Sequence, residues 1–186
     1  MSATAFALFD TALGPCAIAW GPGGIAGLQL PEANDRQTRQ RMQRRFAAAR
    51  EASPSVEAQQ VIDAVVALLR GEAVDLSAVS LDLADTAPFD RSVYAVARTI
   101  APGTTLSYGE VAERLGDARL ARAVGQALGR NPFAIIVPCH RVLTSDGRLG
   151  GFSAAGGAAT KRRLLQIENA RRGEAPELFD LPAPSA

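Results

Sequence analysis

Residues 107–129 read SYGEVAERLGDARLARAVGQALG, and this stretch decides the fold of the half of the chain that carries chemistry. Ser107 and Glu110 stand three apart ahead of an apolar run, the pattern of a capping box, so a helix is expected from there through about Leu115. Gly116-Asp117 makes a tight turn, and a second helix is expected from Ala118 to Gly129. Two short helices joined this way read as helix-turn-helix. In the second, Leu120, Val124 and Leu128 repeat at i, i+4 and i+8 and are expected in the core. The opposite side holds Ala121, Arg122, Gly125 and Gln126, small residues around one cation, which suits close approach to a DNA groove. An ordinary small-residue contact between helices is the plainer alternative.

Just beyond lie Asn131-Pro132, then the apolar run Ile135-Ile136-Val137, expected as a buried strand, and then Pro138-Cys139-His140-Arg141-Val142. His140 is the sole histidine, and it adjoins one of two cysteines. A free thiol with a pKa of about 8.5 is mostly protonated at neutral pH. A neighbouring imidazole can take that proton and leave a strong nucleophile. Adjacent residues of an extended strand point to opposite faces, so the pair is expected to work through a bend or a bridging water. The base needs an acceptor on its other nitrogen. The last helix, expected at 158–170, carries Glu168 in phase with the inward Leu164 and Leu165, which makes it the candidate. The alternatives are a core Cys139 and a rim Glu168 paired with an arginine. Cys16, with no base near it in sequence, reads as structural.

The N-terminal side looks different. Alternating runs at 3–9, 15–20 and 25–30, separated by Leu13-Gly14 and Gly21-Pro22-Gly23-Gly24, predict a β-meander. The second of these turns lacks the Lys-Ser/Thr ending of a phosphate loop. A helix is expected over 34–50, and another capped by Ser53 with Pro54 in its first position. Ala58, Val61, Ile62, Val65, Leu68 and Leu69 would form its apolar face, and Gly71 would end it. A short strand at 78–83 follows, then a boundary at 85–88. After it, Phe89, Val93, Val96, Ala97 and Ile100 share one helical face. These signals divide the chain into an α/β unit over 1–85, a mainly helical unit over 86–172 and a disordered tail over 173–186.

The apolar fraction of 47% and charged fraction of 21% suit a soluble globular protein. Two cysteines do not make a disulfide framework, and even with His140 they fall short of a four-ligand zinc site. No signal-peptide pattern and no long apolar run occur, so a cytoplasmic protein with no membrane partner is expected. The net charge of +1 hides a split. Residues 88–173 hold 13 Lys/Arg against 6 Asp/Glu, and the remainder holds 7 against 13. A basic half suggests a polyanionic partner for that half; a solvated basic surface is the alternative.

The helix-turn-helix, Arg122-Ala123-Val124-Gly125, Asn131-Pro132 and Ile136-Val137-Pro138-Cys139-His140-Arg141-Val142, in this order, resemble the O6-alkylguanine-DNA alkyltransferases. These are the methylated-DNA–protein-cysteine methyltransferases. The resemblance is dense over about 88–168; before that it extends only to size and coarse pattern. It implies a small RNase H-like α/β domain followed by a winged helix-turn-helix-like domain. It also implies DNA repair by a single-use protein on alkylated double-stranded DNA, with no cofactor, no metal and no required protein partner, acting as a monomer. The damaged guanine, or possibly an O4-alkylthymine, is flipped out, because a thiol cannot reach a base substituent inside a stacked duplex.

By position, the resemblance makes Cys139 the alkyl acceptor, His140 its water-mediated base and Glu168 the group that orients His140. Asn131 holds the turn before the active-site strand, and Tyr108 stacks near the flipped nucleotide and protonates the leaving guanine. Arg122 fills the gap in the duplex, with Gly109, Asp117, Ala121, Ala123, Gly125 and Ser145 also facing DNA. Val142 and Ser153 contact the base through main-chain groups. The segment 151–157 is two residues longer than in many members and has Phe152 where Tyr is common. Asp90 and Tyr94 replace the frequent Gln and Trp. No cysteine-rich zinc module precedes the domain, which argues against a transcriptional sensor. Two other classes compete: a non-catalytic lesion-flagging binder, which would not need the cysteine, and a cysteine hydrolase, which would need an oxyanion hole.

Overall fold

The computed structural model describes residues 3–169, so the tail expected over 173–186 lies outside the described residues. The fold is mixed α/β. Strands β1 (Ala5–Thr11), β2 (Gly14–Gly21) and β3 (Gly24–Gln29) form the expected meander. Ala5 pairs with Trp20 and Thr11 with Gly14 across the first hairpin. Gly24 turns the second hairpin at φ +107, and a Cβ there would lie 2.6 Å from the Ser80 carbonyl oxygen, so only glycine fits.

The central strand β2 is buried on both faces, and its side chains split with the period of two. Cys16 and Ile18 join the main core, whereas Ala17 and Ala19 pack with Met42 and Phe46 of the opposite layer. Met42 belongs to α1 (Asp35–Arg45), capped by the Asn34 side chain, which accepts from the Gln37 N–H. The helix expected over 34–50 therefore stops five residues early. Phe46 breaks it by turning into the sheet, and Arg50–Glu51 become β4, paired in parallel with β1. Tertiary pairing overrides local helix propensity here. The sheet order is β3-β2-β1-β4.

Helix α2 (Val56–Leu69) covers the other face, and the six expected apolar residues are its buried ones. Its cap is Ser55, whose hydroxyl accepts from the Ala58 N–H, not Ser53. Pro54 sits before the helix and holds Ser53 out of the helical region. The strand expected at 78–83 reduces to one bridge between Leu81 and Ile25. The Arg98 guanidinium takes the carbonyls of Leu76, Ser77 and Val79, which bends the chain ahead of the bridge, and only Ser80 and Asp82 exchange main-chain hydrogen bonds with Ile25.

The second half begins with α3 (Pro88–Arg98), with proline in its first turn. Val93, Ala97 and Ile100 are buried as expected, Phe89 and Val96 only partly. The buried face also takes Asp90 and Tyr94. Asp90 holds Arg130 through two hydrogen bonds, and Tyr94 donates to the Ala127 carbonyl at 3.2 Å. A short strand β5 (Leu106–Ser107) leads into α4 (Tyr108–Arg114), where both capping-box hydrogen bonds form. The next helix is shorter than expected. Asp117 caps a 3-10 turn over Ala118–Leu120, and α5 (Ala121–Gly129) follows. Val124 and Leu128 are buried, whereas Leu120 is only partly covered. After β6 (Val142–Leu143), parallel to β5, the described chain closes with α6 (Ala158–Ile167).

One apolar cluster runs from Ile18 through Val65 and Val93 to Val124, Ile136 and Leu164. It gives the 131–142 segment a rigid bed. Among the described residues no helix is long and apolar enough to cross a membrane.

Candidate active site

The apolar run before the cysteine is not the strand expected. Asn131 prevents it: its side chain donates to the Val137 carbonyl at 2.8 Å and accepts from the Phe133 N–H at 2.9 Å. The chain is folded back within six residues. Ile135 is left at φ 70, a conformation costly for a β-branched residue. Such strain persists only where the surroundings over-determine it. Cys139–Arg141 then form a single 3-10 turn, so Cys139 and His140 leave the backbone at a bend.

Cys139 opens into a cavity of about 850 Å³ between α4, α5 and the 144–153 loop. Tyr108, Gly109, Ala121, Arg122, Gly125, Ser145 and Ser153 line it with the cysteine. Tyr108 opens α4, and its hydroxyl lies 3.3 Å from where a Cβ on Gly150 would stand; Gly150 itself has φ +64. A side chain at 150 would thus crowd the phenol. Burial, and then the nearby Cys139 charge, raise the Tyr108 pKa and keep it a proton donor.

His140 and Glu168 lie behind the thiol. The imidazole is fully buried and its Nε2 is 2.9 Å from Glu168 Oε1. The same carboxylate accepts from Arg141 Nε at 2.9 Å and Nη2 at 2.8 Å, while Arg141 Nη1 donates to the Ile100 carbonyl. Both partners weighed for Glu168, the histidine and an arginine, are therefore present. Burial alone would raise the Glu168 pKa; the hydrogen bonds of His140 and Arg141, the Arg141 charge, and the His140 charge in acid when the ring is protonated, overcome it and hold it at about 2. An ionised carboxylate only accepts, so Nε2 carries the imidazole proton. Burial also pushes the His140 pKa down, against the pull of Glu168. The ring is neutral, with a free lone pair on Nδ1, which has no hydrogen-bond partner among the described residues. That is the state a general base requires.

The Cys139 thiol is raised chiefly by burial and pulled back by a hydrogen bond from Asn131, the charge of Lys161 and main-chain N–H groups of Cys139 and His140. Cys16 is a contrast. It is wholly buried against Thr11, and burial pushes it up to about 12, so it is inert.

Other expected positions fall in varied surroundings. Asp117 is engaged with the Arg119 main chain and guanidinium. Val142 is buried, its N–H donating to Cys139 and its carbonyl accepting from Lys161. Ala123 is half-buried on α5. Several cations of this half are held within the fold. Arg119, Arg130, Arg141 and Arg148 all pair with carboxylates, and Lys161 is buried. Arg122 is exposed at the cavity and forms no ion pair among the described residues. Lys161, Arg141 and Asp90 were outside the expected site. Lys161 had a signal, since it is in phase with Leu164, Leu165 and Glu168 on the inward face of α6.

Comparison with known proteins gives the family of the chain. A family described as 6-O-methylguanine DNA methyltransferase, DNA binding domain, matches residues 88–170. A methylated-DNA–protein-cysteine methyltransferase of Methanothermobacter thermautotrophicus is 34% identical over 151 residues, covering 81% of this chain and 77% of that one. One from Mycobacterium tuberculosis is 44% identical over 119 residues, covering 64% and 70%. The crystal structure of Mycobacterium tuberculosis OGT in complex with DNA matches with a TM-score of 0.73 and 34% identity, over 89% of this chain and 92% of that one. An O6-methylguanine-DNA methyltransferase structure from Pyrococcus kodakaraensis matches at 0.67 and 27%, over 89% and 99%.

Proposed function

The chain belongs to the family of methylated-DNA–protein-cysteine methyltransferases, and from that premise we propose that Cys139 is the residue onto which it takes the alkyl group of O6-alkylguanine in DNA. The activity is DNA repair by alkyl transfer to a cysteine of the protein itself. The observation that carries the assignment of Cys139 is the neutral, fully buried His140, tied to an ionised Glu168 and next along the same turn to the cysteine that lines the cavity. A lesion-flagging binder or a structural cysteine would have no use for it.

The chemistry follows from the side chains. His140 Nδ1 takes the thiol proton, through a water, and Glu168 holds the resulting imidazolium. The sulfur attacks the alkyl carbon in line; the S–C bond forms and the C–O6 bond breaks. Guanine leaves with the electron pair, and the Tyr108 hydroxyl supplies a proton to it. A thioether is stable, so each molecule acts once. Arg122, exposed at the mouth of the cavity, fills the gap left by the flipped base, while Gly109, Ala121, Ala123 and Gly125 let α4 and α5 approach the groove. Ser145 meets a phosphate, and Ser153 and the remaining lone pair of the Val142 carbonyl meet the base. Asp117 contributes by fixing the turn into the recognition helix. The meander with α1 and α2 supports an RNase H-like first unit over 1–85. The β5–β6 pair beside α4 and α5 supports a winged helix-turn-helix over 86–172.

Incubation with a duplex carrying isotope-labelled O6-methylguanine, followed by peptide mass spectrometry, tests the assignment. One methyl on the Cys139 peptide per molecule is expected, with none in Cys139→Ala. Label on another residue, or repeated turnover, would overturn it.

A further inference from the structure

Lys161 is fully buried, yet among the described residues no carboxylate pairs with it. Its Nζ donates to the Val142 carbonyl at 2.6 Å and stands 5.8 Å from the centroid of the Tyr108 ring. Desolvating an ammonium without a counter-ion costs several kcal/mol, and a leucine or methionine would fill the same space more cheaply. The ionisable groups around it are Cys139 and His140 on the turn and Tyr108 on α4. Glu168 and Arg141 lie beyond, committed to each other. Both anchors of the ammonium adjoin the thiol: the Tyr108 ring it faces lines the cavity together with Cys139, and Val142 closes the Cys139 turn, so the charges of Lys161 and Cys139 favour each other.

We propose that Lys161 is a positioning residue for alkyl transfer: its buried ammonium is the counter-charge of the Cys139 thiolate, and its hydrogen bond to the Val142 carbonyl keeps the 139–142 turn aimed into the cavity. Helix α6 grips this turn at two points, seven residues and so roughly 10 Å apart along its axis. Glu168 holds the His140 and Arg141 side chains at one end, and Lys161 holds the Val142 carbonyl at the other. The carboxylate orients the base; the ammonium stabilises what the base produces. Proton accounting is simple. The thiol proton passes to His140, the sulfur keeps its electron pair, and Lys161 remains protonated. Burial lowers the Lys161 pKa to about 8, with Cys139 opposing the drop, so the charge is present at neutral pH and fades above it. The same positive charge, with Arg141, helps hold His140 neutral.

The proposal rests on Cys139 being the acceptor, but its test needs no DNA, so the two can fail separately. The rate of iodoacetamide addition to the Cys139 peptide is measured against pH for wild type and Lys161→Met, with circular dichroism to verify folding. The thiol midpoint should rise by about one pH unit in the variant, with a roughly tenfold slower reaction at pH 7. An unchanged midpoint in a folded variant overturns the proposal. Should Lys161→Met fail to fold, the reciprocal measurement decides. The Lys161 Nζ resonance, titrated in 15N-lysine-labelled protein, should show a lower pKa in Cys139→Ser than in wild type, and equal values would overturn the coupling.

Discussion

Replacing Glu168 by glutamine keeps the shape of the side chain and removes the charge that pairs with Arg141 and accepts from His140. The carboxyl pKa is moved from 4.5 to about 2 in the folded protein. At about 1.4 kcal/mol per pH unit, the ionised form contributes roughly 3 kcal/mol of stability. The side chain is only 2% exposed, so solvent screening removes little of this. The sign follows from the depressed pKa. The contribution is nearly complete above the unfolded value of 4.5 and is lost as pH falls toward 2, with somewhat more than half gone by pH 3. Urea unfolding of wild type and Glu168→Gln between pH 7 and pH 3 measures it. The variant should be about 3 kcal/mol less stable at pH 7, since Arg141 is left buried without its counter-ion. The two curves should converge as the pH falls. His140, whose folded pKa is also depressed, loses stability below 6.5, and more so in the variant, which lacks the pull of Glu168; that effect widens the gap and does not cause the convergence. Parallel curves, or a difference below about 0.5 kcal/mol at pH 7, would refute the reasoning.

Asn131→Ala removes both hydrogen bonds that fold the chain back before the cysteine. A loss of about 2–3 kcal/mol in urea unfolding is expected, together with a higher Cys139 midpoint in thiol alkylation, because Asn131 also stabilises the thiolate. Arg122→Ala should slow repair of duplex O6-methylguanine at least tenfold while barely changing reaction with free O6-benzylguanine; equal losses in the two assays would remove Arg122 from the DNA step.

Much of the site was legible because its signals are local or periodic. The capping box of Ser107 and Glu110 needs only three residues of spacing, and both of its hydrogen bonds form. The inward phase of α6 singled out Glu168 as the partner of His140, 28 residues away, because a carboxylate on an apolar face must find a donor. Other features depend on segments meeting in space. The run 135–137 has the composition of a strand, yet the Asn131 bridge turns it into a bend. Four cations of the basic half pair with carboxylates and Lys161 is buried, so which cations are left to face DNA depends on the fold and not on the net charge.

By itself, then, the sequence determined which atoms can react: a lone imidazole beside a thiol, a carboxylate in phase with them and a small-residue helix preceding them. Their electrical state was decided only by tertiary structure. Burial, and the meeting of α6 with the 139–142 turn, make Glu168 charged and His140 neutral and bring the Lys161 ammonium to the Val142 carbonyl. Protonation depends on desolvation and on charges distant in sequence, and neither is a property of a residue or its neighbours.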